Sequence, residues 1–329
     1  MLRSPMTAID VGIPAYRRPA GLVRAVESAV RQREDGLAVR VYVVNDSPGD
    51  DLSEVARRFD VEVHDNPVNL GLVRNWNRVV ALAQAPLLVV LHDDDELLPG
   101  QLRRAAEAFA RQPDAVMRFT AAEITAAGGK VTRIFRPFRR RREFAGTAGA
   151  LALVDARVPV KAPGVVYRRD ALVAAGGFDE TCGMAADVAM CLRLALRGRV
   201  LYDPEPGARY FFDTGNLTHS AMFRASDLDL LARVRDTLAA ESGRMDPGLW
   251  RSRFNRMIAR HGVISGLYRL KSGDAPGADA CFTGARLAGG GGWGWVAGSL
   301  RLAARLPGAS RLYDLARAGQ RWVAGRGRG

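Results

Sequence analysis

The stretch Leu87-Leu88-Val89-Val90-Leu91-His92-Asp93-Asp94-Asp95-Glu96 decides how the rest of the chain is read. Its apolar half suits a strand buried on both faces at the centre of a sheet, and it runs directly into four consecutive acids. Carboxylates so closely spaced repel one another and raise each other's pKa unless a cation neutralises them. The economical partner is a divalent ion with hard oxygen ligands. Open α/β sheets bind ligands at the carboxyl ends of their strands, where this cluster falls. Taken alone it is equally a solvated acidic turn, and the other strand ends decide between the two.

Working outward, Ala8 to Ile13 is a short apolar strand closed by Pro14, followed by a helix over 20–33. Val39 to Val44 is a second strand, ended by the turn formers Asn45-Asp46-Ser47-Pro48-Gly49. A short helix at Asp51 to Phe59 and a strand at Val61 to His64 come next. Leu72 to Gln84 places Val73, Trp76, Val80 and Ala83 on one helical face. This alternation predicts a parallel or mostly parallel sheet covered by helices. Its strand ends carry a set that can meet a nucleotide: the backbone edge and aromatic of Pro14-Ala15-Tyr16, the acceptor Asp46, and the acids. Asn69-Leu70-Gly71 opens the third helix, with Arg74 in its first turn. No G-x-G-x-x-G follows a strand and no G-x-x-x-x-G-K-[ST] occurs, so dinucleotide redox enzymes and P-loop phosphotransferases lack their phosphate cradles.

After a helix from Pro99 to Arg111 the pattern changes to short β-like pieces, Ala115 to Thr125 and Val131 to Phe135, so a second half or a change of sheet direction begins there. Helices are expected at Ala171 to Ala175 and Asp187 to Leu196, and a strand at Val200 to Tyr202. From about Ser226 the chain reads as helical, with a hairpin-like pair at Leu249 to Leu270 and Gly277 to Leu287. The final stretch, from Gly289, is Gly-rich, then basic and amphipathic, with Trp293, Trp295 and Trp322 as apolar anchors. The expected division is 1–224, in halves of about 1–112 and 113–224, then a helical extension over 225–329.

At 329 residues with 48% hydrophobic composition, disorder and fibrous structure are excluded, and the chain can form a core without metal or disulfide. Cys182, Cys191 and Cys281 are odd in number and lack C-x-x-C spacing, which argues for buried thiols in a reducing compartment. Met1 to Ala8 lacks the apolar stretch of a secretory signal. The longest uncharged runs, Val79 to His92 and Leu287 to Leu300, are each 14 residues, short of the roughly 20 that span a bilayer. The net charge of +13 suggests nucleic acid, yet only Lys130, Lys161 and Lys271 among the 48 basic residues are lysines, the mark of compositional bias. No nucleic-acid partner is expected. Two concentrations, Arg133 to Arg142 and the tail from Arg286, could meet phosphates.

The segments VGIPAYRRPAGLVRAVESAVRQ (11–32), VYVVNDSPGDD (41–51), NLGLVRNWN (69–77), LLVVLHDDDELLPGQL (87–102) and GGFDE (176–180) followed by ADVAMCLRLALRG (186–198) together resemble the ordered motif set of family 2 inverting glycosyltransferases. The likeness covers about residues 6 to 215. It implies the GT-A fold, a Rossmann-like mixed, mostly parallel sheet flanked by helices, here with a helical C-terminal extension. It also implies sugar transfer from a nucleoside-diphosphate donor to an acceptor hydroxyl with a divalent metal, Mn²⁺ or Mg²⁺, in cell-surface polysaccharide or glycoconjugate biosynthesis.

Carried across by residue, the resemblance makes Pro14, Ala15 and Tyr16 the wrap around the base and Asp46 the reader of base or ribose. Gly71 and Arg74 close the nucleotide pocket. Asp93 to Asp95 overlie the metal motif in either of two registers: Asp93-x-Asp95, or one that sets His92 in the place of the first acid and makes Asp94 the principal metal ligand. Asp93 is then assigned to the donor, and Asp94 and Asp95 to the metal. Gly177, Phe178 and Asp179 border the acceptor. Asp187 matches the general base, while Ala186 replaces the family's neighbouring Glu. Asp213 or His219 could complete the metal site where relatives carry a His. An inverting transfer needs one carboxylate opposite the leaving diphosphate to take the acceptor proton, and Asp187 at a helix start stays charged.

The arginine run and basic tail suggest an acceptor that carries phosphate or lipid, and peripheral contact with the inner face of a membrane by a cytoplasmic protein. Two alternatives remain: a nucleotidylyltransferase, though Pro14-Ala15-Tyr16 is not its activating loop, and an inactive basic protein that binds nucleic acid or membrane surfaces.

Overall fold

The structure is a computed structural model of the chain and describes residues 7–33, 37–125, 129–156, 158, 162–211, 225–241, 246–289 and 291–304. The chain divides into two compact units, Met1–Asn216 and Leu217–Gly329.

The first unit opens with β1 (Thr7–Ala15), α1 (Pro19–Val30), β2 (Leu37–Asn45), α2 (Ser53–Phe59), β3 (Glu62–Asp65), α3 (Leu72–Leu82), β4 (Leu87–Val90), β5 (Glu96–Leu97) and α4 (Gln101–Arg111). It continues with β6 (Ala115–Thr125), β7 (Val131–Phe135), β8 (Arg142–Ala145), α5 (Gly146–Asp155), β9 (Val166–Arg168), α6 (Arg169–Ala174), α7 (Ala186–Arg197) and β10 (Arg199–Phe211). One sheet results, in the order β3-β2-β1-β4-β9-β6-β10-β5, with β7 on β6 and β8 on β10. The pairs β2–β3, β1–β2, β1–β4 and β6–β10 are parallel. β9 is antiparallel to both β4 and β6 and joins the two halves. β6, the strand that follows α4, still runs in the direction of β4, and the reversed strands come later, at β7, β8 and β9.

Hydrophobic burial drives this arrangement. Leu87 to Leu91 are all buried, as a central strand covered on both faces requires. Ile9, Val11, Ile13, Val41, Val43 and Val89 pack with Leu22, Ala25, Val26 and Ala29 of α1 and with Leu102, Ala105 and Phe109 of α4. The parallel register aligns the carboxyl ends of β1 to β4 along one edge, so Tyr16, Asp46, Asn66 and the acids after Leu91 emerge together.

The short strands β5, β8 and β9 and the helix α5 are not announced by the pattern, and β10 is longer than expected. β10 runs for 13 residues through Pro204, Pro206 and Gly207, whereas the pattern predicts only Val200 to Tyr202. Register shifts around Asp203, Pro206 and Ala208 absorb the prolines as bulges. The helix α5, Gly-Thr-Ala-Gly-Ala-Leu-Ala-Leu-Val-Asp, carries no cap or charge pattern to announce it.

The second unit is helical: α8 (Ala225–Glu241), α9 (Pro247–Lys271), α10 (Ala275–Ala288) and α11 (Gly292–Ala303). Ala259, Val263, Leu267, Phe282 and Ala285 form its core, with Trp293 packed against it. Trp295 and Leu302 of α11 are 83% and 68% exposed. Trp322 and most of the basic tail lie outside the described residues. Among the described residues no helix is long and apolar enough to cross a membrane. Cys182, Cys191 and Cys281 are buried thiols, none in a disulfide.

Candidate active site

The acidic motif is assembled by the loop that leaves β1. Tyr16 donates its backbone N–H to Asp93 Oδ2 at 2.8 Å, and Arg18 Nη1 lies 3.4 Å from Asp93 Oδ1 and 2.5 Å from Asp94 Oδ2. Arg17 occupies the left-handed region at φ 54°, with its N–H on Ser47 Oγ at 2.9 Å. Pro19 starts α1, and a Cβ on Gly21 would stand 2.6 Å from the Asp93 carbonyl oxygen. Only glycine lets the positive end of the helix dipole come this near the acids. A cleft of about 550 Å³ lies beside this loop, lined by Ala15, Tyr16, Arg17, Arg18, Asn45 and Asp51 among others. Tyr16 is 41% exposed, with the Arg17 guanidinium 5.1 Å from its ring centre.

The four acids have separate fates. Asp93 is buried on the Tyr16 backbone. Burial pushes its pKa up to about 6 with Asp94 adding to the rise, while the Tyr16 N–H and Arg18 oppose it. His92, Asp94 and Asp95 each offer a ligand atom within 4.8 Å of one another. Asp95 accepts from the Phe211 N–H at 3.0 Å, which ties the end of β10 to the motif. Glu96 faces away, paired with Arg209 at 2.9 Å. Burial holds the His92 imidazole below its ordinary pKa; Asp94 and Asp187 push it up, and Arg18 pushes it down. A neutral imidazole can ligate metal. Its Nε2 is buried without a hydrogen-bond partner. The residues present thus fit a divalent cation in the register that includes His92.

Asp187 lies in the first turn of α7 and accepts from the Val188 N–H at 2.7 Å. Its charge acts on His92, and it helps raise the pKa of the buried Tyr167 and Cys191, where burial is the larger cause. Asp187 is 92 positions from Asp95 in sequence, and the turn that leads to its helix meets the motif through Phe178, Trp76 and His92.

Asp46 is 2% exposed. Its oxygens accept from Asn66 Nδ2, Asn69 Nδ2, Leu70 N and Gly71 N at 2.7–3.0 Å. The carboxylate shapes the loop that enters α3, where Gly71 takes φ 82°. Arg74 is 61% exposed and lies 3.9 Å from Glu180, so it reaches toward the turn at 176–180.

That turn begins as a helix cap. Gly176 donates to Val173 O and Gly177 to Leu172 O, the Schellman pattern that ends α6. Phe178 is 3% exposed and packs edge-on to Trp76 and Tyr167. Trp76 in turn stacks on His92 with ring centres 5.2 Å apart. Asp179 caps the following 3-10 turn by accepting from Thr181 and sits 3.5 Å from Arg193. Burial raises its pKa, and the Thr181 hydrogen bonds with Arg193 outweigh that to hold it below the usual range. Pro14 and Ala15 end β1 beside Asn45. Asp213 and His219 lie outside the described residues.

Sequence reasoning did not single out Arg18, Trp76 or Asn77 as site residues. All three stand inside quoted motifs, but their roles depend on side-chain directions that spacing alone does not give.

Residues 10–156 match the family model for glycosyl transferase family 2. The uncharacterized protein MT1568 of Mycobacterium tuberculosis (strain CDC 1551 / Oshkosh) is 30% identical over 260 residues, 74% of this chain and 80% of that protein. The chain is a family 2 glycosyltransferase. The succinoglycan biosynthesis protein ExoU of Rhizobium meliloti (strain 1021) is 29% identical to this glycosyltransferase over 153 residues, 44% of each chain. Solved structures agree in fold. Residues 1–349 of TarS from S. aureus, in complex with UDP-GlcNAc, superpose on the enzyme with a TM-score of 0.66 at 14% identity, over 94% of this chain and 88% of that one. The mannosyltransferase PcManGT from Pyrobaculum calidifontis, in complex with GDP-Man and Mn²⁺, gives 0.54 at 16% identity over 95% and 86%. The enzyme has the GT-A architecture expected from its motifs.

Proposed function

We propose that this glycosyltransferase moves a sugar from a nucleoside-diphosphate donor to an acceptor hydroxyl with inversion, using Asp187 as the base. One observation carries the reading: Trp76 stacks on His92 of the acidic motif and meets Phe178 edge-on, which brings the turn leading to α7 and Asp187 against the candidate cation site. Asp187 takes the hydroxyl proton as the acceptor oxygen bonds to the anomeric carbon and the bond from that carbon to the diphosphate oxygen breaks. Tyr16 and the adjoining cleft receive the base and ribose, and Asp46 holds the loop before α3 through its four hydrogen bonds. His92, Asp94 and Asp95 would hold a divalent cation, Mn²⁺ or Mg²⁺, which when bound supplies Lewis-acid charge to the leaving diphosphate. Gly177, Phe178 and Asp179 frame the acceptor side. Exposed Arg139 to Arg142 support an acceptor bearing phosphate or lipid, reached from the cytoplasm or the inner face of a membrane.

A thermal-shift screen of UDP-, GDP- and dTDP-sugars with Mn²⁺ or Mg²⁺ tests the donor side. A donor at a hundred times its Kd adds about 2.7 kcal/mol to stability. Asp94→Ala is expected to abolish the metal-dependent part of that shift. If no nucleotide sugar stabilises the protein, the donor reading is lost.

A further inference from the structure

Arg18 is the cation already present at the acidic motif. Its Nη1 stands 2.5 Å from Asp94 Oδ2 and 3.4 Å from Asp93 Oδ1. The backbone that delivers it is fixed on both sides, by the Tyr16 N–H on Asp93, the Arg17 N–H on Ser47 and the start of α1 at Pro19. The side chain is nevertheless 27% exposed and lines the cleft beside Tyr16, which leaves room for the guanidinium to turn.

Asp94 is also one of the three groups whose ligand atoms converge with those of His92 and Asp95. The same carboxylate therefore serves two positive charges. A guanidinium at this distance and a divalent ion on one carboxylate repel each other strongly in a partly desolvated site. An entering diphosphate reverses the balance, because its oxygens accept the planar guanidinium in a bidentate pair.

We propose that Arg18 occupies Asp94 as a resident competitor for the cation and transfers to the donor's diphosphate when the cation binds, so that cation and diphosphate bind cooperatively. The inference rests on the proposed cation site at His92, Asp94 and Asp95. It makes Arg18 a positioning residue that sets the order in which the site fills. Linkage requires the effect to be reciprocal: the diphosphate tightens the cation as much as the cation tightens the diphosphate.

The test is Mn²⁺ binding to the full chain, followed by the paramagnetic resonance of free Mn²⁺, with circular dichroism to check the fold of each variant. In the absence of nucleotide, Arg18→Gln is expected to bind Mn²⁺ about tenfold more tightly than the unaltered protein, a usual size for such coupling. Arg18→Lys falls between the two, and Asp94→Asn abolishes binding. Added UDP or GDP strengthens Mn²⁺ binding in the unaltered protein, and the gain shrinks in Arg18→Gln. If Arg18→Gln leaves Mn²⁺ affinity unchanged or weaker while Asp94→Asn still abolishes it, the role of Arg18 is overturned and the cation site stands. Mn²⁺ binding that ignores Asp94→Asn, or that is missing in both the unaltered protein and Arg18→Gln, overturns the cation site and this inference with it.

Discussion

Asn77 and Phe178 hold each other across 101 positions of sequence: the Asn77 amide donates to the Phe178 carbonyl and accepts from its N–H, both at 2.8 Å. This pair fastens the turn at 176–180 to α3. Replacing Asn77 by Ala removes both bonds and leaves two backbone groups of a buried residue unpaired, which costs about 2–6 kcal/mol at 1–3 kcal/mol for each stranded group. Urea unfolding measures the loss. An unchanged midpoint would show that water replaces the amide without cost.

The two glycines of the turn are expected to behave differently. Both have positive φ, 87° at Gly176 and 72° at Gly177. A Cβ on Gly176 meets nothing within 4 Å, whereas one on Gly177 stands 2.8 Å from Asn77 Oδ1. Gly176→Ala therefore bears only the left-handed strain, about 1–2 kcal/mol. Gly177→Ala bears that strain and displaces Asn77 as well, so it loses more stability and more transfer activity. Equal melting temperatures for the two variants would contradict this.

A buried ion pair ties β6 to β10. Arg118, 1% exposed, donates to Asp203 Oδ2 at 2.9 Å and to Gln101 Oε1 at 3.0 Å. Burial raises the Asp203 pKa, but the Glu205 N–H and Arg118 outweigh it and leave the carboxyl below its ordinary 3.8. A folded pKa below the unfolded one gives stability that is complete above about pH 4 and is lost as pH falls through the folded value. Asp203→Asn strands a buried guanidinium and is expected to cost about 3–5 kcal/mol at pH 7. The gap from the unaltered protein narrows below pH 4, which acid titration of the unfolding midpoint would reveal.

Asp187→Asn keeps the side chain's size and removes its basicity. Loss of a general base lowers kcat by about 10²–10⁴-fold. The donor's Kd is expected to stay within a small factor, since Asp187 is assigned to the acceptor proton. Full turnover in this variant would remove Asp187 from the reaction.

Much of the first half of the fold was legible because burial imposes simple periods on it. The all-apolar Leu87 to Leu91 could only be a central strand, and the turn formers after β2 mark the sheet's carboxyl edge. β10 was not legible beyond Tyr202, because Pro204 and Pro206 break the pattern and the bulges that rescue the strand are formed by its partner β6. At the site, the apolar strand running into four acids pointed to the motif, while the family resemblance alone singled out Asp187 and supplied the expected roles. It could not tell that Asp93 turns to the Tyr16 backbone while His92 joins Asp94 and Asp95, since consecutive residues in a loop share no fixed face. Nor could it show that Asp46 is saturated by four donors, three of them from the segment 69–71.

The indole of Trp76 leans on His92 with one face and meets Phe178 at its edge. Substitutions in the turn at 176–180, which we propose frames the acceptor, would therefore disturb the imidazole through a single shared spacer. Lineages that diversify what receives the sugar, without sacrificing turnover, would vary segments that do not rest on this ring.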